Sequence, residues 1–427
     1  MITALVISFV IFLIIGVPIA FSIGLASLLS LLFAKGLPLL LVPQRMTVAA
    51  DSFSALAIPL FLLAGELMNR GGITKRLVDF SSSLVGHVRG GIGMSSVLAS
   101  MIFAGISGSA VADTTAIGSI LVPTMVEKKY KRGLVASLQA CAGTMGPIIP
   151  PSILMIIYGS ITGVSIGGLF LAGFVPGVLI GLGLMLVTYI YSFIPGNEAM
   201  KGGDALGWMA VWITFKRAIL ALVMPIIIIG GIISGIFTAT EAGVVAVAYA
   251  FVVGLVYKEL KLRDLPEILV ASASITSMVM LIICTASLFG WLIAREQIPV
   301  IIGALLSSVS TNPSVFMAII ICFLLVLGCV MEVVAAAMIF GPVLYLLGQQ
   351  YGFDPVFFGL IVLVVLQFGG VTPPVGIILN ISCGLAKTST EEACRYLLPY
   401  LGVMVLVIMI CCIFPDLVMF LPRLLLG

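Results

Sequence analysis

Apolar residues run along this chain in long blocks separated by short polar interruptions. In the first half the blocks cover roughly residues 2–33, 53–69, 91–105, 109–126, 133–146, 152–163 and 166–195. In the second half they cover roughly 218–236, 239–257, 267–294, 299–310, 313–327, 331–347, 357–371, 375–386 and 396–414. A helix that crosses a hydrocarbon core of about 30 Å needs about 20 apolar residues, so the length leaves room for about a dozen spans or part-spans. Several blocks are too short to cross alone. They are joined by Gly/Ser or Pro-Pro, which predicts re-entrant hairpins and interrupted helices. Barrel-like alternation is missing and open sheets cannot sit in lipid, so the pattern predicts an all-α integral membrane fold.

The interruptions recur. Residues 105–123 read GISGSAVADTTAIGSILVP and lead through a helical stretch to GPIIPP at 146–151. Residues 328–344 read GCVMEVVAAAMIFGPVL and lead to GGVTPP at 369–374. Gly105 and Gly328, Pro150 and Pro373, and Pro176 and Pro399 are each 223 residues apart (328 − 105, 373 − 150, 399 − 176). Three anchors at one spacing indicate a duplication. Paired, broken hydrophobic segments in two halves are the sequence pointer to the binding site of a secondary transporter. The division that follows is a first half over 1–195, with a hairpin near 91–126 and a broken helix near 133–163. A connecting segment, 196–217, and a second half, 218–427, follow, the latter with a hairpin near 313–347 and a broken helix near 357–386. In the connecting segment Asp204 and Lys201 make a polar start, and Trp208 and Trp212 sit one turn apart ahead of Lys216-Arg217. That reads as an interfacial helix at the headgroups, or as an ordinary loop with anchors.

Composition agrees with lipid as the solvent. The chain is 62% hydrophobic and 9% charged, with mean hydropathy +1.33, against about 25% charged residues in a soluble domain. The formal charge of +3 does not point to nucleic acid, because the basic residues lie in short loops. Lys75-Arg76, Arg89, Lys128-Lys129, Lys131-Arg132, Lys216-Arg217, Lys258, Lys261 and Arg263 mark candidate cytoplasmic loops. Met1–Phe33 is too long for a signal core and lacks a basic start, so it reads as a first spanning helix. The eight cysteines include no CxxC and sit mostly in apolar runs, which predicts reduced thiols rather than a disulfide framework or metal cluster.

The broken segments carry the candidate chemistry. Gly105-Ile106-Ser107-Gly108-Ser109 is a poor helix interior, since each Gly costs about 1 kcal/mol relative to Ala. At Gly146-Pro147-Ile148-Ile149-Pro150-Pro151-Ser152 the prolines remove donors and free the carbonyls one turn back. An opened turn in lipid is tolerated only inside protein or around water. There it offers a helix N-terminus that attracts carboxylates, and carbonyls and hydroxyls that suit a hard cation such as Na⁺. The second copy offers the same at Gly328, Met331 and Glu332, and at Gly369, Gly370, Thr372 and Pro373. Close helix packing through small residues is the competing explanation.

Acids inside apolar blocks are costly and usually functional. Asp113 follows the first tip and could also cap its own hairpin arm; Glu332 follows the second tip and has no evident capping role. Glu241, after Thr238 and Thr240, opens an apolar helix, where the dipole favours an acid. Arg295-Glu296-Gln297 separates two apolar runs and reads as a solvated turn or as a docking or gate position. Enzyme chemistry fails on inventory. GISGS contains a GxSG string, but the single histidine, His87, lies in the basic loop GHVRGG, and no HExxH, Walker A or GxGxxG sequence occurs. An intramembrane hydrolase using the GISGS serine, and an uncoupled channel or scaffold, remain as alternatives.

The segments FAGISGSAVADTTAIGSILVP, GPIIPPSI, GIFTATEAG, FGGVTPPVG, AIPLFLLAGELMNRGGITKRL and DPVFFGLI resemble the signatures of the large membrane (M) subunit of tripartite ATP-independent periplasmic (TRAP) transporters. The resemblance runs from about residue 50 to 400. It implies two inverted repeats forming an elevator-type transport domain with scaffold helices, in a multi-pass protein of the bacterial inner membrane. It implies Na⁺-coupled uptake of an organic acid of the sialic acid or C4-dicarboxylate class. The implied partners are a small four-helix membrane (Q) subunit, a periplasmic substrate-binding protein and the lipid bilayer. Carried onto this sequence, Na⁺ would be held by Gly105, Ser107, Ser109, Gly146, Pro147 and Pro150, and by Gly328, Met331, Gly369, Gly370 and Thr372. Ser109, Asp113, Ser152 and Glu332 would line or support the substrate cavity, and Glu241 and Arg295 would lie near the face that meets the binding protein.

Overall fold

The computed structural model describes residues 2–33, 37–202, 207–373 and 376–426. Asp204 and Pro374 lie outside the described residues. Every regular element among the described residues is a helix. The first ten are α1 (Ile2–Ile14), α2 (Ile19–Phe33), α3 (Leu41–Ala50), α4 (Ala57–Arg70), α5 (Ile73–Val85), α6 (Gly91–Ser107), α7 (Ala110–Glu127), α8 (Arg132–Gly143), α9 (Ile153–Thr162) and α10 (Ile166–Tyr191). The next ten are α11 (Trp208–Ile233), α12 (Ala239–Val256), α13 (Leu265–Arg295), α14 (Ile298–Val309), α15 (Pro313–Val330), α16 (Val333–Gln350), α17 (Pro355–Gly369), α18 (Ile377–Ala386), α19 (Thr390–Ile413) and α20 (Pro415–Leu426). Among the described residues, eight helices are long and apolar enough to cross a membrane, and six shorter apolar ones accompany them. The chain is a multi-pass membrane protein.

The repeat spacing reappears in the elements. Val330 ends α15 223 residues after Ser107 ends α6, and α16 spans Val333–Gln350 where α7 spans Ala110–Glu127, again 223 apart at both ends (333 − 110, 350 − 127). Helices α9 and α18 have 10 residues each and follow the two proline-rich breaks. The two hairpins differ in packing. Helices α6 and α7 lie against each other, whereas α15 and α16 chiefly grip α17 between them.

Two stretches depart from the sequence reading. The first apolar block is two helices, not one span: the chain turns at Gly16-Val17-Pro18, with Gly16 at φ +84°, and α1 packs back on α2. Proline cannot continue the ladder and glycine accepts the left-handed turn, so a 33-residue block folds as a short pair. Residues 208–217 are not a separate interfacial helix but the first turns of the 26-residue α11, with Trp208 exposed and the Lys216 amine 5.0 Å from the Trp212 ring.

The basic loops gather at one end of the bundle. Arg70 pairs with Glu267 at 2.7 Å and Arg76 with Glu259 at 3.5 Å. Arg76 also lies 3.9 Å from the Tyr257 ring, whose hydroxyl donates to the Arg217 carbonyl at 2.8 Å. The Gly90 amide donates to the Met200 carbonyl at 2.8 Å, and Arg132 donates to the Lys387 carbonyl at 3.0 Å. The opposite end joins residues 162–168, 232–238, 310–312 and 350–356. There a Cβ at Gly168 would stand 3.1 Å from Val356 and one at Gly167 3.2 Å from Ile232, and Tyr351 donates to the Ser310 carbonyl. Those four segments contain no lysine or arginine. Hairpin α6–α7 is rooted at the basic end, and hairpin α15–α16 at the other.

The second half locks onto itself through glycine. A Cβ on Gly369 would stand 2.3 Å from the Gly328 backbone, so the end of α17 crosses the tip of α15 at a distance only two glycines permit. Because the clashing atoms are backbone, Gly369→Ala is expected to destabilise the protein by about 1–3 kcal/mol through overpacking. Gly384 in α18 has nothing within 4 Å of its Cβ position, and Gly384→Ala should hold or raise stability, by up to about 1 kcal/mol from helix propensity. Thermal melting of the two variants in detergent checks the contrast.

Candidate functional site

Both hairpin tips and both proline-rich breaks open onto one cavity of about 570 Å³, the size of a small-molecule site. It is lined from the first copy by Ser107, Gly108, Ser109 and Pro147, and from the second by Gly328, Met331, Glu332 and Gly370. The opening residues of four helices face it: Ala110 and Val111 of α7, Ile153 and Leu154 of α9, Val333 and Val334 of α16, and Ile377 and Ile378 of α18. First-turn amides lack an intrahelical partner and carry the positive end of the helix dipole, so four such ends favour an anion. The far wall comes from α4 and α13, through Leu62, Glu66, Asn69, Ile275 and Met278.

The tips are shaped by their caps. Ser109 precedes α7 in extended conformation (φ −134°, ψ 128°), and its hydroxyl accepts from the Ala112 amide at 3.5 Å. Gly108 sits at φ +60° with its carbonyl accepting from the Ile153 amide at 3.3 Å, which ties the hairpin tip to the start of α9. Ser152 is fully buried; its hydroxyl donates to the Pro147 carbonyl at 2.7 Å and accepts from the Met155 amide at 3.2 Å. The Pro150-Pro151 bond is cis. Glu332 corrects the sequence reading of an acid without a capping role: it is the N-cap of α16, its Oε2 accepting from the Ala335 amide at 2.9 Å. The reason is the repeat itself, since Glu332 stands 223 residues after Ser109, the N-cap of α7 (332 − 109).

The remaining sequence-picked residues are distributed as follows. Gly105, Gly146, Pro150, Ser152, Gly369 and Thr372 are not among its lining residues. A Cβ at Gly105 would stand 3.5 Å from the Pro150 carbonyl and one at Gly146 2.7 Å from the Ser109 carbonyl, so these glycines let tip and break touch. Thr372 donates its hydroxyl to the Phe368 carbonyl at 2.8 Å. Asp113 is not a lining residue either and is fully buried beside Ser100 of α6, with no hydrogen-bond partner on either carboxylate oxygen among the described residues. It does not cap α7, because Ser109 does. Glu241 closes a reciprocal capping box with Thr238, accepting from its amide and its hydroxyl at 2.8 Å each. Arg295 ends α13 with its guanidinium 5.5 Å from the Trp291 ring.

Sequence reasoning passed over Glu66, Asn69 and Gln367. Glu66 and Gln367 interrupt apolar blocks, which is the signal that could have found them. Gln367, on α17, is 3% exposed and lines the cavity. The hydrolase alternative fails on distance: His87 precedes α6 and Ser107 ends it, and 17 residues of helix separate them by about 25 Å.

The chain matches the family described as tripartite ATP-independent periplasmic transporter, DctM component, over residues 6–417. It is 39% identical over 405 residues, 95% of each chain, to the 2,3-diketo-L-gulonate TRAP transporter large permease protein of Escherichia coli (strain K12). It is 37% identical over 403 residues, 94% of each chain, to the C4-dicarboxylate TRAP transporter large permease protein of Pseudomonas aeruginosa. It is 36% identical over 413 residues, 96% of each chain, to the sialic acid TRAP transporter large permease protein of Vibrio cholerae.

The caps predict an asymmetry. Ser152→Ala removes two good hydrogen bonds in a buried position and is expected to cost about 1–2 kcal/mol. Ser109→Ala removes a cap bond of 3.5 Å and should cost clearly less, about 0.5 kcal/mol. Melting midpoints in detergent order the two variants; an equal loss would refute the assignment of Ser152 as the structural cap.

Proposed function

Because the chain belongs to the DctM component family of tripartite ATP-independent periplasmic transporters, we propose that it is the large permease of a Na⁺-coupled importer of an organic acid of the sialic acid or C4-dicarboxylate class. The chain is a transporter subunit, not an enzyme. The single observation that carries the substrate assignment is the cavity on which both tips and four helix N-termini converge. A carboxylate fits those amides, and the carboxylic acids named for the relatives are of that chemistry.

The substrate would be delivered by a periplasmic binding protein and moved with the help of a small four-helix membrane subunit, in the bacterial inner membrane. Glu241 and Arg295, at helix ends away from the cavity, are offered as residues of the docking face. The donors around each tip are hard oxygens: backbone carbonyls at the unwound stretches, and the hydroxyls of Ser107, Ser109, Ser152 and Thr372. Such sets suit sodium, which unwound backbone coordinates in other secondary transporters. In this reading Gly105–Ser109 with Gly146–Pro150, and Gly328–Met331 with Gly369–Thr372, each hold one ion, and the bound charge favours the entry of an anion. Asp113 supports the first site from behind.

An elevator motion of two inverted repeats accounts for the arrangement. The roots of the two hairpins at opposite ends of the bundle support the inversion. Helices α4 and α13 form the cavity wall opposite the tips, and they are the scaffold against which the hairpins and broken helices would slide. The rim residues Glu66 and Asn69 lie beside the Arg70–Glu267 pair at the basic end. By the positive-inside rule this opening faces the cytoplasm.

Uptake by proteoliposomes holding this chain with its small subunit, and supplied with loaded binding protein, is expected to fall to background when K⁺ replaces Na⁺; undiminished uptake without Na⁺ would overturn the coupling. Ser109→Ala, Ser152→Ala and Glu332→Ala should each lower uptake about tenfold or more at normal membrane expression, the loss of one hydrogen bond to a charged or coordinating group. Wild-type rates in all three would sink the site.

A further inference from the structure

The polar side chains of the cavity point to which organic acid it takes. Its lining carries two carboxylates, Glu66 and Glu332, and among the described lining residues no lysine, arginine or histidine. Arg70, one turn on from Glu66, is not a lining residue: it holds Glu267 at 2.7 Å and stands 3.7 Å from Glu66. Among the described lining residues the positive pole offered to a ligand is therefore the set of helix N-termini, of which that of α16 already carries the Glu332 carboxylate. One carboxylate of a ligand is satisfied there. A second would reach the opposite wall and meet Glu66, whose neighbouring cation, Arg70, is already shared between Glu66 and Glu267.

The polar side chains of the lining, on both sides of the cavity, suit neutral donors instead. Glu66 presents carboxylate oxygens, and Glu332 uses Oε2 for its cap and keeps Oε1. The Asn69 carbonyl accepts from Thr74 at 3.3 Å, which leaves its amide N–H groups to a ligand. Gln367, 3% exposed, adds an amide to the lining of the cavity. An amide on the lining can complete its hydrogen bonds with what occupies the cavity. Hydroxyl groups serve every one of these partners, since they donate to carboxylates and both donate to and accept from amides.

We propose that the cavity selects a monocarboxylate carrying several hydroxyl groups, a sugar-acid type of ligand, over a dicarboxylate, with Gln367, Asn69 and Glu66 reading the hydroxyls. The proposal rests on the reading of this cavity as the substrate site, and narrows the two classes named above to one.

The test uses the purified full-length chain in NaCl buffer and follows its melting midpoint with three probes: gluconate, hexanoate and succinate. Hexanoate matches gluconate in length and charge and lacks the hydroxyls. Gluconate is expected to raise the midpoint, with hexanoate and succinate well behind it at equal concentration. Gln367→Leu should weaken the gluconate response about fivefold, the worth of one uncharged hydrogen bond, and leave the unliganded midpoint near wild type. Glu66→Gln, at the partly buried rim, should shift the succinate-to-gluconate ratio towards succinate about threefold. Succinate stabilising as strongly as gluconate overturns the selection and leaves the organic-acid reading standing. Hexanoate equal to gluconate overturns the reading of hydroxyls. If the two variants leave both responses unchanged, the assignment of these residues is overturned. Stabilisation by none of the three overturns this proposal and the cavity's role as an organic-acid site together.

Discussion

Everything here depends on one constraint: a polar backbone group cannot be left bare in lipid. An unbroken helix meets that constraint by itself, as α12 and α13 do. A broken helix does not, and this protein contains matching breaks in both of its halves. Each break is tolerable because its stranded groups find partners within the break itself or in the break beside it. The Gly108 carbonyl takes the Ile153 amide, the Pro147 carbonyl takes the Ser152 hydroxyl, and the Ile378 amide reaches the Gly370 carbonyl. What remains unpaired points into a shared cavity, where water, ions or a ligand can complete it. The binding site is thus a consequence of how the breaks are hidden.

Close approach of the breaks sets the choice of residues. Gly105, Gly146, Gly328 and Gly369 stand where a side chain would strike backbone or a proline ring. The same contact that makes the packing tight leaves little room for error at the tips, so their geometry is carried by caps rather than by bulk. Ser109 and Glu332 do this at equivalent positions with different chemistry. The serine leaves its tip neutral, whereas the glutamate places a charge at the mouth of α16. The duplicated frame therefore encloses an asymmetric cavity, with an anion-attracting pole of helix ends and a wall rich in acceptors.

Much of this was legible in the sequence. Block lengths and breaks indicated helices and hairpins, because apolar length and proline placement are local properties with strong physical consequences. The recurrence of Gly105, Pro150 and Pro176 at a fixed spacing matched the later recurrence of α6–α7 in α15–α16. Where the reading slipped, a local rule was outweighed or overlooked. The block before Phe33 looked continuous until Gly16 and Pro18 are read as a turn. Glu332 looked like an acid without a capping role because the apolar block begins at 331, which puts it inside the helix rather than at its cap.

Sequence by itself determined the solvent of this protein, its helical class, the places where its helices must break and, through motif resemblance, its family. Those follow from composition and from short-range order, which the chain carries residue by residue. Only the tertiary structure decided which breaks face which, that Glu66, Asn69 and Gln367 join the tips around one cavity, and that Asp113 is buried outside its lining. Those residues stand in different helices up to 301 positions apart (367 − 66). Their meeting is fixed by helix packing through small residues and by the pairing of stranded backbone groups, neither of which leaves a periodic trace in the chain.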